Sequence, residues 1–169
     1  MNRVGIGFDL HRLTENRALV LGGVRIEYHR GLDGHSDADV LIHALIDALL
    51  GAAGLGDIGY HFPSDDQSYC GISSLTLLGR VKVLLDREGW KLGNADTVII
   101  AEAPVIAPYI EGMRENIAAA LDAAKSRISV KATTTEGLGV CGRQEGIAAQ
   151  AVVLLEKTAH PGPTGHEAE

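Results

Sequence analysis

One apolar segment in the first third of the chain most constrains how this sequence can fold. Its apolar residues recur at helical intervals, and the run ends near two glycines, Gly51 and Gly54. These residues are Val40, Leu41, Ala44, Leu45, Ala48 and Leu49. The pattern predicts a helix whose apolar face packs on another layer of the fold. Ser36 stands three residues before Asp39, a spacing like that of a capping box at a helix start.

Strand-like and helical segments alternate along the rest of the chain. The composition predicts strands at 3–8, 18–21, 24–26, 97–101, 128–132 and 147–155, and further helices at 72–85 and 110–124. We expect loops at 56–66 and 133–142. This order predicts an α/β (α+β) sandwich, with one mixed β-sheet and helices on one face.

The length of 169 residues and the hydrophobic content of 46% are sufficient for one buried core. We therefore expect a single domain over residues 1–157. The composition shifts to Pro, Gly, His and Glu near the end, which predicts a disordered tail at 158–169.

The charge balance restricts the class of partner. Fifteen Lys and Arg residues stand against 22 Asp and Glu residues, so the formal net charge is −7. This charge argues against binding to nucleic acid or to an anionic membrane surface. No apolar run has the length of a signal peptide or a membrane span, and we expect a cytoplasmic protein.

Histidines and carboxylates in the first half of the chain suggest a metal site. Asp9 and His11 are two residues apart in extended chain and would point to one side, and His43 lies on the predicted helix. Two imidazoles and a carboxylate suit a zinc ion with an open fourth position. Asp39 and Asp47 flank His43 at helical spacing, and Asp47 would orient its ring. The alternative is a hydrogen-bonded pair at a strand end and an unrelated surface histidine.

Three other segments carry groups that suit a nucleotide or a phosphate. His35 and Ser36 precede the predicted helix, where the helix dipole favours an anion, although these residues alone are better explained by Ser36 as a simple N-cap. Thr133, Thr134 and Thr135 end a strand beside Glu136, so a divalent cation would be needed between this carboxylate and a phosphate. The alternative is a polar strand end. The segment 101–106 turns through a proline and would hold a flat base or serve as a plain loop.

Five motifs in order resemble a known enzyme family. They are GFDLH at 7–11, GHSDAD at 34–39, DALLGA at 47–52, GDIG at 56–59 and KATTTE at 131–136. Together they resemble the 2-C-methyl-D-erythritol 2,4-cyclodiphosphate synthases of non-mevalonate isoprenoid biosynthesis, over about 3–157.

This resemblance implies a metal-dependent lyase that assembles as a homotrimer, with active sites between neighbouring subunits. Zn²⁺ would bind to Asp9, His11 and His43, and a second divalent ion, Mg²⁺ or Mn²⁺, would bind to Glu136. The substrate would be 4-diphosphocytidyl-2-C-methyl-D-erythritol 2-phosphate, a small cytidine diphosphate, and CMP would be released.

The resemblance also implies roles for individual residues. His35 and Thr134 match positions that stabilise the transition state. The substrate would be bound by the remaining matched positions: Ser36, Asp57, Ile58, Gly59, Phe62, Pro63, Ser64, Asp65, Asp66, Ala101, Glu102, Ala103, Pro104, Val105, Ile106, Thr133, Thr135, Val140 and Arg143.

Three positions depart from the pattern of the family. Val105 replaces a frequent Lys, Val140 replaces a Phe at the trimer axis, and Gln150 replaces a Glu. These departures argue against an isoprenoid diphosphate site on the axis. Two other hypotheses stay open at this point. One is a zinc-dependent phosphoesterase acting on a related diphosphate, and the other is a trimeric nucleotide-binding module without catalysis.

Overall fold

A five-stranded mixed sheet forms the centre of the computed structural model, which describes residues 1–158. The strand order is β4-β1-β7-β5-β6, and β5 and β6 are the parallel pair. A separate hairpin consists of β2 and β3. The bounds are β1 Asn2–Glu15, β2 Leu19–Leu21, β3 Val24–Ile26, β4 Arg30–Leu32, β5 Trp90–Ile100, β6 Ile128–Thr133 and β7 Gly146–Lys157. The mixed sheet is confirmed, and the predicted tail lies outside the described residues beyond Thr158.

Within residues 1–158, five helices accompany the sheet: α1 Val40–Ala53, α2 Ile58–His61, α3 Ser74–Arg87, α4 Ile110–Ala120 and α5 Gly139–Gly142. Single turns of 3₁₀ helix lie at Gln67–Tyr69, Ala107–Tyr109 and Lys125–Arg127. The three long helices confirm the periodicity. The expectation of unbroken loops at 56–66 and 133–142 is wrong, because α2 and α5 lie there and are too short to show a period. No helix in the described part of the chain reaches the length and hydropathy of a membrane span. The predicted cytoplasmic location stays a prediction.

The first strand is longer than its apolar pattern predicted. It continues through Asp9 and His11 to Glu15, so these two residues lie within β1 and do not follow it. The extension holds because residues 9–12 pair with β7 and residues 13–15 pair with β4, a three-residue strand that the sequence pattern did not predict. Ordered backbone on both sides of residue 9 fixes the direction of the polar side chains there.

The start of α1 differs from the predicted capping box. Asp39, and not Ser36, is the N-cap residue, and its Oδ1 accepts a hydrogen bond from the Ile42 backbone N–H at 3.1 Å. The same carboxylate accepts backbone N–H groups of Gly22 at 2.9 Å and Gly23 at 2.7 Å. Burial raises the pKa of Asp39 to about 6 in spite of these hydrogen bonds. Asp39 is therefore a structural residue that joins the β2–β3 hairpin to α1.

Two glycines allow α1 to lie directly on β1. A Cβ atom at Gly7 would stand 1.9 Å from the backbone oxygen of Ala44, and one at Gly5 would stand 2.0 Å from that of Ala48. Both distances are far below van der Waals contact, so a side chain at either position would push the helix away from the sheet.

We predict that Gly7→Ala lowers the free energy of unfolding by about 3 kcal/mol, the upper part of the range for overpacked cores. Gly51→Ala on the same helix is the matched control, because its Cβ would meet open space. We expect it to raise the stability by roughly 0.5–1 kcal/mol, as alanine is the better helix former. Denaturant unfolding at matched protein concentration measures both, and an equal effect of the two substitutions would contradict the contact.

Candidate functional site

Three side chains from β1 and α1 converge on one point. Asp9 Oδ2 lies 2.9 Å from His11 Nε2 and 3.0 Å from His43 Nδ1, and the two ring nitrogens are 3.3 Å apart. Asp9 and His11 point to the same side because residues two apart in a strand share a face. His43 is the fourth residue of α1 and meets them because the helix lies on that face. The predicted ligand set is therefore brought together.

The geometry and chemistry of this cluster fit a metal ion. Each residue offers one ligand atom to a common point. In a tetrahedral zinc site with bonds of about 2.0–2.1 Å, neighbouring ligand atoms are about 3.3 Å apart, which is close to the spacing here. Two imidazoles and one carboxylate also leave a fourth position free for a substrate oxygen.

The charges in the cluster favour a cation. Burial alone would raise the pKa of Asp9, but hydrogen bonds with His11 and His43 and the charges on these rings outweigh it and hold the pKa far below its ordinary value. The hydrogen bond to Asp9 raises the pKa of His11. The carboxylate is therefore ionised and attracts positive charge. Protons on the histidine rings supply this charge when no metal ion is bound, and a metal ion can replace these protons.

The far nitrogen of each ring also has a partner. The carbonyl oxygen of Asp33 lies at hydrogen-bond distance from His11 Nδ1. His43 Nε2 lies 2.9 Å from Ser74 Oγ and 3.2 Å from Ser36 Oγ. Such outer contacts fix the orientation of ligating imidazoles. Ser74 had no predicted role, because it is 31 residues from His43 and no spacing rule connects a serine to a distant histidine.

The predicted roles of the two neighbouring aspartates change. Asp47 does not orient His43 among the described residues, since its Oδ1 accepts the backbone N–H of Ile58 at 2.8 Å. It thereby fixes the start of α2 beside the cluster. Asp39 is fully buried at the start of α1 and does not belong to a polar face with His43. The helical spacing was correct, but the sheet and the hairpin decide which way each carboxylate points.

A cavity of about 250 Å³ opens beside the three ligands. Its lining contains several of the predicted site residues, together with Tyr69 and Leu77, which were not predicted, and Asp47, for which only the orientation of His43 was predicted. The predicted residues in the lining are Asp9, His11, His35, Ser36, His43, Ile58, Gly59, Phe62 and Ser64. Apolar walls with convergent polar groups are typical of small-molecule sites.

Four other predicted substrate residues, all between positions 57 and 66, do not line this cavity. Asp57 caps α2, and its Oδ1 accepts the backbone N–H of Tyr60 at 2.9 Å. Asp66 caps the following 3₁₀ turn, and its carbonyl oxygen lies 3.2 Å from His35 Nε2. Pro63 and Asp65 lie in the connection between these turns, outside the lining of the cavity. Binding of substrate by these four residues stays a prediction.

The predicted phosphate and base segments form a second group at the ends of β5 and β6. Glu102 accepts the backbone N–H groups of Thr135 at 3.3 Å and Gly137 at 3.2 Å, so it organises the loop after β6. Thr134 Oγ1 donates to Glu136 Oε1 at 2.9 Å. The residues 101–106 and 133–136 do not line the cavity described above. One chain therefore carries two separate groups of predicted substrate residues.

Val140 and Arg143 lie elsewhere again. They line an open cavity of about 690 Å³ beside the end of β1, together with Arg12, Arg30 and Gln144. Arg143 Nε donates to Glu145 Oε1 at 2.7 Å, so its charge is already paired. Their place among the substrate residues stays a prediction.

Comparison with known proteins shows that the chain is similar to proteins that share one name. Residues 2–156 match the YgbB family. A protein of Syntrophomonas wolfei named 2-C-methyl-D-erythritol 2,4-cyclodiphosphate synthase is 59% identical over 92% of this chain and 99% of its own length. A protein of the same name from Moorella thermoacetica is 61% identical over 90% of this chain and 94% of its own.

Solved structures agree with this similarity. IspF of Plasmodium falciparum in complex with CDP has a TM-score of 0.82 and 34% identity, covering 94% of this chain and 97% of that one. The bifunctional IspDF of Campylobacter jejuni has a TM-score of 0.90 and 44% identity over 93% of this chain. This chain spans only 42% of that larger protein.

We predict that His43→Ala lowers the bound zinc from about one ion per chain to well below that, because two protein ligands hold the ion weakly. His29→Ala is the matched control. His29 is exposed, contacts the ring of Tyr28 and is distant in sequence from the cluster. Elemental analysis after dialysis against zinc and then buffer measures both proteins. Stoichiometric zinc in His43→Ala would show that the ion binds elsewhere.

Proposed function

This chain belongs to the YgbB family, and we infer that it is a 2-C-methyl-D-erythritol 2,4-cyclodiphosphate synthase, a lyase of non-mevalonate isoprenoid biosynthesis. The observation that carries the inference is the cluster of Asp9, His11 and His43 at the mouth of a cavity, within a chain that is 59% identical to a synthase over nearly its whole length.

The reaction that we propose is intramolecular. An oxygen of the 2-phosphate of 4-diphosphocytidyl-2-C-methyl-D-erythritol 2-phosphate attacks the β-phosphorus of the same molecule. A new phosphorus–oxygen bond forms there, and the bond from the β-phosphorus to the bridging oxygen breaks. That oxygen leaves with CMP, and no water is consumed. Because both reactants belong to one substrate, the task of the protein is to fold it into line and to offset its negative charge.

We propose that Asp9, His11 and His43 hold Zn²⁺, and that Glu136 holds a Mg²⁺ or Mn²⁺ ion together with substrate phosphates. Such ions, when bound, polarise phosphoryl oxygens and reduce the repulsion between them. Glu136 fits this role only with a substrate present, because Mg²⁺ is usually held by one or two carboxylates and phosphate oxygens. The hydrogen bond from Thr134 orients its carboxylate.

The residues around the cavity would bind the erythritol part of the substrate. Ile58, Gly59 and Phe62 form an apolar wall, and His35 and Ser36 place an imidazole and a hydroxyl beside the three ligands. We propose that His35 and Thr134 stabilise the charge that develops at the phosphates. Asp57 keeps one carboxylate oxygen free for a sugar hydroxyl, since its other oxygen caps α2.

The second group of residues would bind the nucleotide. The turn from Ala101 to Ile106, with Glu102, Ala103, Pro104 and Val105, lies beside the threonine loop through the two hydrogen bonds that Glu102 accepts. We propose that the backbone of this turn holds cytosine and that Thr133 and Thr135 bind its phosphates. The similar Plasmodium falciparum protein forms a complex with CDP, which supports a cytidine nucleotide as the ligand of this chain.

The uncovered face of the sheet supports a homotrimer. Val4, Ile6, Phe8 and Leu10 alternate along β1 on the side away from α1, and Phe8 is 58% exposed. Val152 of β7 stands beside Ile6. An apolar stripe of this size on the surface is typical of an interface between chains. We propose that three copies bury it together, and that the ligand cluster of one chain then faces the nucleotide group of its neighbour.

We predict that the protein with bound zinc and added Mg²⁺ releases one CMP for each cyclic diphosphate formed. Mass spectrometry of the product in ¹⁸O-labelled water distinguishes the reactions, since a phosphoesterase would incorporate the label and a cyclising lyase would not. Binding of CDP without any turnover would instead indicate a nucleotide-binding module, the third hypothesis raised by the sequence.

The division of the site between chains has its own test. We expect His43→Ala and Thr134→Ala homotrimers each to lose at least about 100-fold in kcat, the scale for groups that stabilise developing charge. Mixed trimers formed by co-expression would regain part of the activity, because some interfaces combine an intact ligand cluster with an intact threonine loop. Mixed trimers as inactive as their parents would contradict a shared site and would favour one complete site per chain.

A further inference from the structure

A largely buried chain of hydrogen-bonding groups continues from His43 Nε2, the ring nitrogen on the side away from Asp9 and His11. Ser74 is the first residue of α3 and is fully buried, and its Oγ lies 2.9 Å from His43 Nε2. The Ser74 hydroxyl is also at hydrogen-bond distance from Asp37 Oδ1. The Ser74 backbone N–H donates to Asp37 Oδ2 at 3.0 Å. Asp37 thus accepts hydrogen bonds from both the hydroxyl and the backbone N–H of Ser74.

The proton inventory of these groups determines the tautomer of His43. A carboxylate can only accept, so the single hydroxyl proton of Ser74 is donated to Asp37. Ser74 Oγ then has only lone pairs to offer, and the short contact with His43 Nε2 requires that this nitrogen carry a proton. A neutral imidazole holds one proton, so with Nε2 protonated the lone pair of His43 is on Nδ1, where a metal ion would replace the proton that Nδ1 shares with Asp9.

Ser36 does not disturb this order. Its Oγ accepts the backbone N–H of Ala38 at 3.1 Å and lies farther from His43 Nε2, at 3.2 Å. It can accept a share of the same ring proton with its second lone pair. Ser36 is therefore compatible with a protonated Nε2, and the requirement for this tautomer comes from Ser74.

We propose that Ser74, held by Asp37, is a positioning residue that keeps His43 in the tautomer and ring orientation in which Nδ1 binds a metal ion. The proposal rests on the metal site of the proposed function and goes beyond it, since it assigns two residues that touch neither the ion nor the substrate. It also links the site to α3, because Ser74 is the point at which that helix begins.

The substitution Ser74→Ala removes the acceptor and leaves the backbone N–H that Asp37 binds. We expect the dissociation constant for zinc to rise 10- to 100-fold, the range for loss of an outer partner of a ligating histidine. Ser73→Ala is the matched control, because this neighbouring serine is exposed and its side chain forms no capping hydrogen bond. Competition with a zinc chelator measures the three proteins, and thermal melting of the metal-free forms shows whether they are folded.

Two further measurements separate positioning from a general structural role. In ¹⁵N-resolved proton spectra of the zinc-loaded protein, the Nε2–H of His43 gives a resonance protected from exchange in wild type and Ser73→Ala, and lost in Ser74→Ala. Asp37→Asn, whose side-chain amide can donate a hydrogen bond to the Ser74 hydroxyl, also weakens zinc binding. In the Ser74→Ala background it adds no further loss, because Asp37 acts through the serine.

The outcomes are distinct. Equal zinc affinity in Ser74→Ala and Ser73→Ala, with wild type binding normally, overturns this proposal alone. Fully additive losses in Asp37→Asn and Ser74→Ala show that the two residues act separately, which also overturns it. A wild-type protein that binds no zinc overturns the metal site and this proposal together.

Discussion

The contact between α1 and β1 is the constraint on which the site depends. Gly5 and Gly7 let the helix backbone approach the strand so closely that a Cβ at either glycine would overlap it. His11 lies on the same face of β1, four residues after Gly7 and with Asp9 between them. The ligand atoms can lie about 3 Å apart because the helix that carries His43 is this close. A wider separation of the layers would leave His43 too far from Asp9 and His11 to share a metal ion with them.

The second requirement for the ligand cluster is the position of His43 along the axis of α1, which carboxylates near the start of the helix fix. Asp39 fixes the start of α1 by binding both the helix and the turn of the β2–β3 hairpin. Asp37, two residues earlier, fixes the start of α3 through Ser74. The segment between β4 and α1 therefore anchors two helix N-termini, and it also carries His35 and Ser36 into the cavity. Its polar residues are buried at little net cost because nearly every oxygen has a donor.

Patterns with a fixed period could be predicted from the sequence, and contacts set by packing could not. The three long helices and the core of the sheet follow from apolar spacing, and the pairing of Asp9 with His11 follows from the alternation of a strand. The extension of β1 was missed because its last residues pair with β4, a three-residue strand too short to show an alternation, and α2 and α5 were missed because four residues show no period. Asp47 was assigned to His43 because the two are neighbours on a helix. Its actual partner, the backbone of Ile58, comes from a loop whose path no local pattern gives. Ser74 stayed hidden for the same reason.

The distribution of charge and apolar surface explains why the activity would need more than one chain. A net charge of −7 opposes a substrate that carries several phosphate charges, yet the carboxylates concentrated at the site are of the kind that bind divalent cations and so reverse the local field. One chain places such a cluster on the helix-covered side of β1 and a second, threonine-lined group at the ends of β5 and β6. The apolar residues of β1 lie on its other face, away from α1. In the proposed homotrimer, burying that face against other copies would bring groups of different chains together at the edges of the interface and so would complete the catalytic site.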